Sequence, residues 1–70
     1  MKNHVEALRQ RRGWTRVELA DLLNVSRQTV HAIETDRYDP SLPLALAMAK
    51  LFGHPVESLF GDEIGAPPED

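Results

Sequence analysis

Cysteine is missing from all 70 residues, which excludes disulfide crosslinks, thiolate metal sites and thiol nucleophiles together. Aromatic residues are scarce, with one Trp, one Tyr and two Phe, so the core has to come mainly from aliphatic side chains. No apolar run approaches the ~20 residues needed to span a bilayer, and no signal-peptide-like stretch comes after the first residues. The sequence therefore reads as soluble and cytoplasmic, with no membrane partner. An excess of positive charge is lacking as well. The formal net charge of −3 has the wrong sign for a polyanion, whose sequence-independent binding comes from Lys and Arg.

That charge is unevenly spread. Residues 1 to 37 hold seven basic groups (Lys2, Arg9, Arg11, Arg12, Arg16, Arg27, Arg37) against five acidic ones, whereas residues 38 to 70 hold Lys50 against six acids. A basic half facing a polyanion and an acidic half facing away gives such a split, and so does chance in a short chain.

Catalytic patterns are absent too. His4, His31 and His54 form neither an H-x3-H pair nor the helical His-Glu pattern of a zinc hydrolase. There is no Ser-centred glycine elbow and no phosphate-binding glycine loop. A chain of this size buries only about 60% of its unfolded surface, which leaves little room for a pocket. No catalytic residue, metal, cofactor or small-molecule substrate is expected, and the chain does not read as an enzyme.

What is present is helix punctuation. Asn3 with Glu6 has the form of a capping box, Val5 and Leu8 begin an apolar stripe, and Gly13 is a left-handed stop, which predicts a helix over about 4–12. Thr15 with Glu18 is a second capping box, and Trp14 with Leu19 occupies the staple positions, predicting a helix over about 16–23 with Leu19, Ala20 and Leu23 inward. Core packing accounts for the single Trp better than a binding role does. Asn24 tolerates left-handed backbone and Ser26 is a good cap, so about three residues lead into a third helix over about 27–35. Val25 and Val30 form its staple, and Ile33 turns inward. So short a link forces a sharp corner, the geometry of a helix-turn-helix.

Asp36, Asp39 and Pro40 interrupt the pattern, Ser41 caps again, and Pro43 falls in a first turn where its missing N–H costs little. The fourth helix is expected over about 42–52, with Ala45, Met48, Ala49 and Phe52 inward and Gly53 as its stop. A fifth, over about 56–60, buries Val56, Leu59 and Phe60. Residues 61–70 read as an acidic, poorly ordered tail behind a domain of residues 1–60.

The order of residues resembles a known family. Leu8-Arg9, Gly13-Trp14-Thr15, Glu18-Leu19-Ala20, Val25-Ser26-Arg27-Gln28-Thr29-Val30, Ile33-Glu34, Pro40-Ser41-Leu42 and Ala49-Lys50-Leu51-Phe52-Gly53 look like the Xre/Cro type of helix-turn-helix, the fold of lambda-family repressor DNA-binding domains. The likeness covers residues 3 to 60 without a gap. It implies an all-α domain of five short helices whose third helix enters the major groove of double-stranded DNA while the start of the second meets the backbone.

Carried over by residue, the base-reading face is Arg27, Gln28 and His31, with Ala32 one turn in. Arg27 suits guanine O6 and N7, or alternatively a phosphate, and Gln28 suits adenine N6 and N7. Thr29 and His31 touch phosphate or rest in solvent beside it. The helix starts at Thr15 and Ser26 add backbone donors for phosphate. Relatives often have Gln at the first turn of the second helix. Arg16 here keeps a phosphate contact available and puts any base contact of that Gln in doubt. Arg37 and Tyr38 lie where relatives approach the DNA backbone, or else form a solvated turn. Arg9 and Glu34 occupy positions that pair across the first and third helices.

The resemblance further implies a homodimeric repressor on an inverted-repeat operator. The apolar side chains Leu44, Leu46, Leu51, Pro55, Val56, Leu59 and Phe60 exceed what one small domain needs and would form the contact between copies. Mutual covering of the fourth and fifth helices is the simpler alternative. A different class of function is a protein-interaction module, or antitoxin-like adapter, that uses the same apolar surface for a protein partner.

Overall fold

The computed structural model describes residues 3–61. It is all-α, with five helices in the order α1 (Val5–Arg11), α2 (Arg16–Leu23), α3 (Arg27–Glu34), α4 (Leu42–Phe52) and α5 (Val56–Phe60), and no strand among the described residues. Beyond Gly61 the expected acidic tail lies outside the described residues.

Polar side chains start the middle three helices by satisfying amide donors that the helix itself leaves open. Thr15 Oγ1 accepts from the Glu18 N–H at 3.0 Å, and Glu18 Oε1 accepts in return from the Thr15 N–H at 2.8 Å. Ser26 Oγ accepts from the Thr29 N–H at 3.1 Å, and Ser41 Oγ accepts from the Leu44 N–H at 3.3 Å. Left-handed residues come after the first four helices: Gly13 (φ 72°), Asn24 (φ 58°), Asp36 (φ 62°) and Gly53 (φ 72°). Behind each, the next amide folds back over the last turn: Trp14 onto Arg9, Val25 onto Ala20, Arg37 onto Ala32 and His54 onto Ala49, at 2.9–3.1 Å.

The beginning of α1 differs from the capping box expected there. His4 holds the cap position without a side-chain bond, and the Asn3 side chain works on two segments at once. Its Oδ1 accepts from the Val5 N–H at 3.0 Å, while its Nδ2 donates to the Ile33 carbonyl at 2.7 Å and to Asp36 Oδ1 at 3.1 Å. Glu6 is released from capping by this arrangement and turns toward arginines instead.

The core gathers Val5, Leu8, Leu19, Ala20, Val30, Ile33, Ala45, Met48, Phe52, Leu59 and Phe60, all buried, with Trp14, Leu23 and Val25 packed against it. Each large aliphatic or Phe side chain buried this way contributes about 1.5–3 kcal/mol in transfer free energy. The Trp14 and Phe52 rings lie 5.8 Å apart, and Arg12 covers both while its Nη2 donates to the Phe52 carbonyl at 2.7 Å.

Two residues expected on a contact surface between copies are spent inside the molecule. Leu59 is fully buried and Phe60 is 8% exposed, because α5 folds back and the Leu59 carbonyl accepts the His4 N–H at 2.8 Å. Neither side chain is available to a partner in this fold. Leu44, Leu51 and Val56 are half-buried against the core, whereas Leu42 and Leu46 of α4 stand in solvent.

Candidate nucleic-acid interface

The corner between α2 and α3 sets the geometry of the surface. Asn24 reverses the chain in left-handed backbone (φ 58°, ψ 44°), Val25 packs against the core, and Ser26 is extended (φ −80°, ψ 156°) before α3 begins. With Val30 and Ile33 drawn into the core, α3 is pinned by one side. Helical spacing determines its opposite side: Arg27, Gln28 and His31 are exposed, and Ala32 is half-buried at the margin.

An open groove of about 550 Å³ runs between that side of α3 and the beginning of α2, lined by Arg9, Thr15, Arg16, Val17, Arg27, Gln28 and His31. Two elements thus offer polar groups to one concavity, the side chains of α3 and the first turn of α2. Thr29 is half-buried, and its Oγ1 lies 3.0 Å from Ser26 Oγ, so the two hydroxyls bond to each other at the helix start. Arg37 and Tyr38 are exposed in the loop after α3. Arg27 and Arg37 make no ion pair among the described residues.

Beneath the groove lies an ion network. Glu34, whose side chain is 1% exposed, receives Arg9 Nε on Oε2 at 2.7 Å and Arg16 Nε on Oε1 at 2.9 Å. Arg9 Nη1 donates to the Trp14 carbonyl at 2.8 Å, tying the end of the α1–α2 connection to the same side chain. Leaving one member of so buried a pair without its partner costs on the order of 3–5 kcal/mol. Glu6 adds a second carboxylate, with Oε2 at 3.3 Å from Arg16 Nη2 and 3.9 Å from Arg9 Nη2. Two guanidinium groups and two carboxylates cancel, so Arg16 reaches the groove with its charge already shared.

The structure brings Thr15, Arg16, Arg27, Gln28 and His31 to a single surface, with Ser26 and Thr29 at the head of α3. Sequence reasoning paired Arg9 with Glu34 but did not foresee Arg16 and Glu6 joining them. Capping logic assigned Glu6 elsewhere, and only the tertiary fold brings α1, α2 and α3 within reach of one another. Val17 was missed as well: it is an apolar residue left half-exposed at the groove wall, and only its departure from the inward stripe of α2 signals it. Among the described residues no cluster of His, Asp or Glu is suited to a metal ion, and no helix is long and apolar enough to cross a membrane.

Comparison with known proteins agrees with this arrangement. Residues 5–59 match the Helix-turn-helix family. The chain is 48% identical over 60 residues to an uncharacterized HTH-type transcriptional regulator of Methanocaldococcus jannaschii, covering 86% of this chain and 91% of that one. It is 47% identical, with the same coverage, to the uncharacterized HTH-type transcriptional regulator YgzD of Bacillus subtilis. The immunity repressor protein of Bacillus phage phi105 is 41% identical over 59 residues, 84% of this chain but 41% of the repressor. On the match over most of its length, and with α2 and α3 meeting at the Asn24 corner, the chain belongs to the Xre/Cro-type helix-turn-helix family of transcriptional regulators, a DNA-binding family without enzymatic activity.

Proposed function

We propose that the protein is a sequence-specific repressor that lays α3 in the major groove of double-stranded DNA. The observation that carries this reading is the groove in which Arg27, Gln28 and His31, exposed on a helix with a buried back, stand beside the capped start of α2. Arg27 forks onto guanine and Gln28 onto adenine, each pairing discriminating by about 1–3 kcal/mol, while His31 and Ala32 complete the base-facing side. Thr15, Arg16, Ser26, Thr29, Arg37 and Tyr38 meet the backbone and fix the register. Repression, as opposed to activation, is supported by the likeness to a phage immunity repressor.

The operator is an inverted repeat read by a homodimer. Each copy carries a single α3 to lay in a groove, so reading two half-sites ~34 Å apart takes two copies. Leu42 and Leu46, exposed one turn apart on α4, together with the partly or fully exposed Leu44, Leu51, Pro55 and Val56, supply the apolar surface through which a second copy binds. The same face is the one a different protein would use if the chain served instead as an adapter.

Selection of bound sequences from a random duplex pool tests the reading. The wild-type chain yields a two-fold symmetric motif, and Arg27→Ala loses preference at one base position per half-site. A pool that shows no enrichment, together with no salt-dependent retardation of random DNA, sinks it in favour of the protein-binding role. Sedimentation at high micromolar concentration, with and without DNA, tests the dimer.

A further inference from the structure

Arg16 is held by two carboxylates of unequal character. Glu34 takes its Nε from a side chain that is 1% exposed and already bonded to Arg9, so this contact is fixed. Glu6 takes Nη2 at 3.3 Å from a side chain that is 51% exposed, and the Arg16 side chain is itself 41% exposed. Exposed ion pairs of this length are weak and readily exchanged in water. Arg16 is thus aimed by the buried acid and occupied by the surface one. A DNA phosphate arriving in the groove carries the same charge and the same acceptor oxygens as the Glu6 carboxylate and seeks the same N–H donors.

We infer that Glu6 competes with DNA phosphate for Arg16, lowering affinity for every sequence alike. This rests on the DNA-binding reading above. The proposal assigns a role to a residue outside the recognition helix, and it accounts for a cation at the head of α2 whose charge is cancelled before DNA arrives. Glu34 keeps Arg16 pointed into the groove throughout, and displacing Glu6 frees Nη2 for the phosphate. Because the phosphate contact is common to all sequences, removing the competitor leaves base preference untouched.

The test is duplex binding by Glu6→Gln, which keeps the shape and removes the charge. It is measured on a random-sequence duplex and on the selected operator, over a range of salt concentrations. Glu57→Gln makes the same change of net charge on α5, away from the network. The Glu6 variant is expected to bind both duplexes about threefold to tenfold more tightly at low salt than the Glu57 variant, by the same factor on each. Its plot of log affinity against log salt steepens by at most the ~0.9 of one added phosphate. In an Arg16→Ala background the gain disappears. The inference is overturned if Glu6→Gln and Glu57→Gln bind alike, or if the gain survives loss of Arg16. Chemical unfolding of each variant establishes that it is folded. A wild-type chain that binds no duplex at any salt overturns the DNA-binding reading and this inference with it, an outcome distinct from binding that ignores Glu6.

Discussion

The side-chain amide of Asn3 donates at 2.7 Å to the main-chain carbonyl of Ile33, thirty positions further along, in the last turn of α3. The same amide reaches Asp36 Oδ1, and its oxygen caps the Val5 N–H, so one residue fixes both the entry to α1 and the exit from α3. Asn3→Ala is expected to cost about 1–2 kcal/mol in chemical unfolding, since a part-buried carbonyl loses its donor. Asn3→Asp is expected to be no better. It keeps the acceptor for Val5 but turns a carboxylate toward Ile33 O and Asp36, and equal stability of Asp and wild type would show that the donor is unimportant.

The Glu34 carboxylate is shared by Arg9 and Arg16 at a site nearly closed to water. Glu34→Ala strands the buried Arg9 and is expected to lower stability by about 3–5 kcal/mol, a large part of what so small a domain possesses. Replacing both members, Arg9→Met with Glu34→Leu, restores most of the loss because no buried charge is left alone. A thermal melt of the three proteins checks this. A double variant as unstable as the single one would mean that the bonds to Trp14 and Arg16 matter more than the stranded charge.

Gly53 closes α4 at φ 72°, and a Cβ placed there would touch nothing within 4 Å. The only obstacle to a side chain is therefore the left-handed backbone, and Gly53→Ala is expected to cost about 1–2 kcal/mol. Gly53→Asn, whose side chain tolerates that region, should cost less. At Asn24, which is left-handed for the same reason, Gly is expected to be nearly neutral. Urea titration of the three variants checks the order.

Arg37 lies in the loop beyond α3, exposed and without an ion pair among the described residues. As a phosphate contact it should lose affinity uniformly when changed to Ala, with the salt slope falling by about one. Competition binding on a panel of single-base operator variants distinguishes this from Arg27→Ala, which should lose about 1–3 kcal/mol and flatten the preference at one position. A sequence-dependent loss at Arg37 would move that residue from the backbone to the bases.

Most of the fold could be read from local chemistry, because each boundary here is made locally. Thr15, Ser26 and Ser41 cap through their own third amide, and Gly13, Asn24 and Gly53 stop helices through their own backbone, so helices over 16–23 and 42–52 fall where the residues place them. The exposed side of α3 was legible in the same way from Val30 and Ile33. Features that join distant segments were not legible. Asn3 looks like a helix cap until Ile33 is beside it, and Glu6 looks like its capping partner until Arg16 is. Leu59 and Phe60 read both as the buried side of a fifth helix and as surface for a second copy, and the bond from the His4 amide to the Leu59 carbonyl goes with the first. Pairing of Arg9 with Glu34 was foreseen only because the family resemblance supplied the tertiary contact.

That bond between His4 and Leu59 has a kinetic consequence. The α2–α3 corner can form within a short stretch of chain on the microsecond-to-millisecond scale of local helical structure, but α1 and α5 meet only by closing a loop of nearly the whole domain. The seam where they meet is expected to assemble last and open first, so amides at this seam should exchange with solvent sooner than those of Val30 and Ile33.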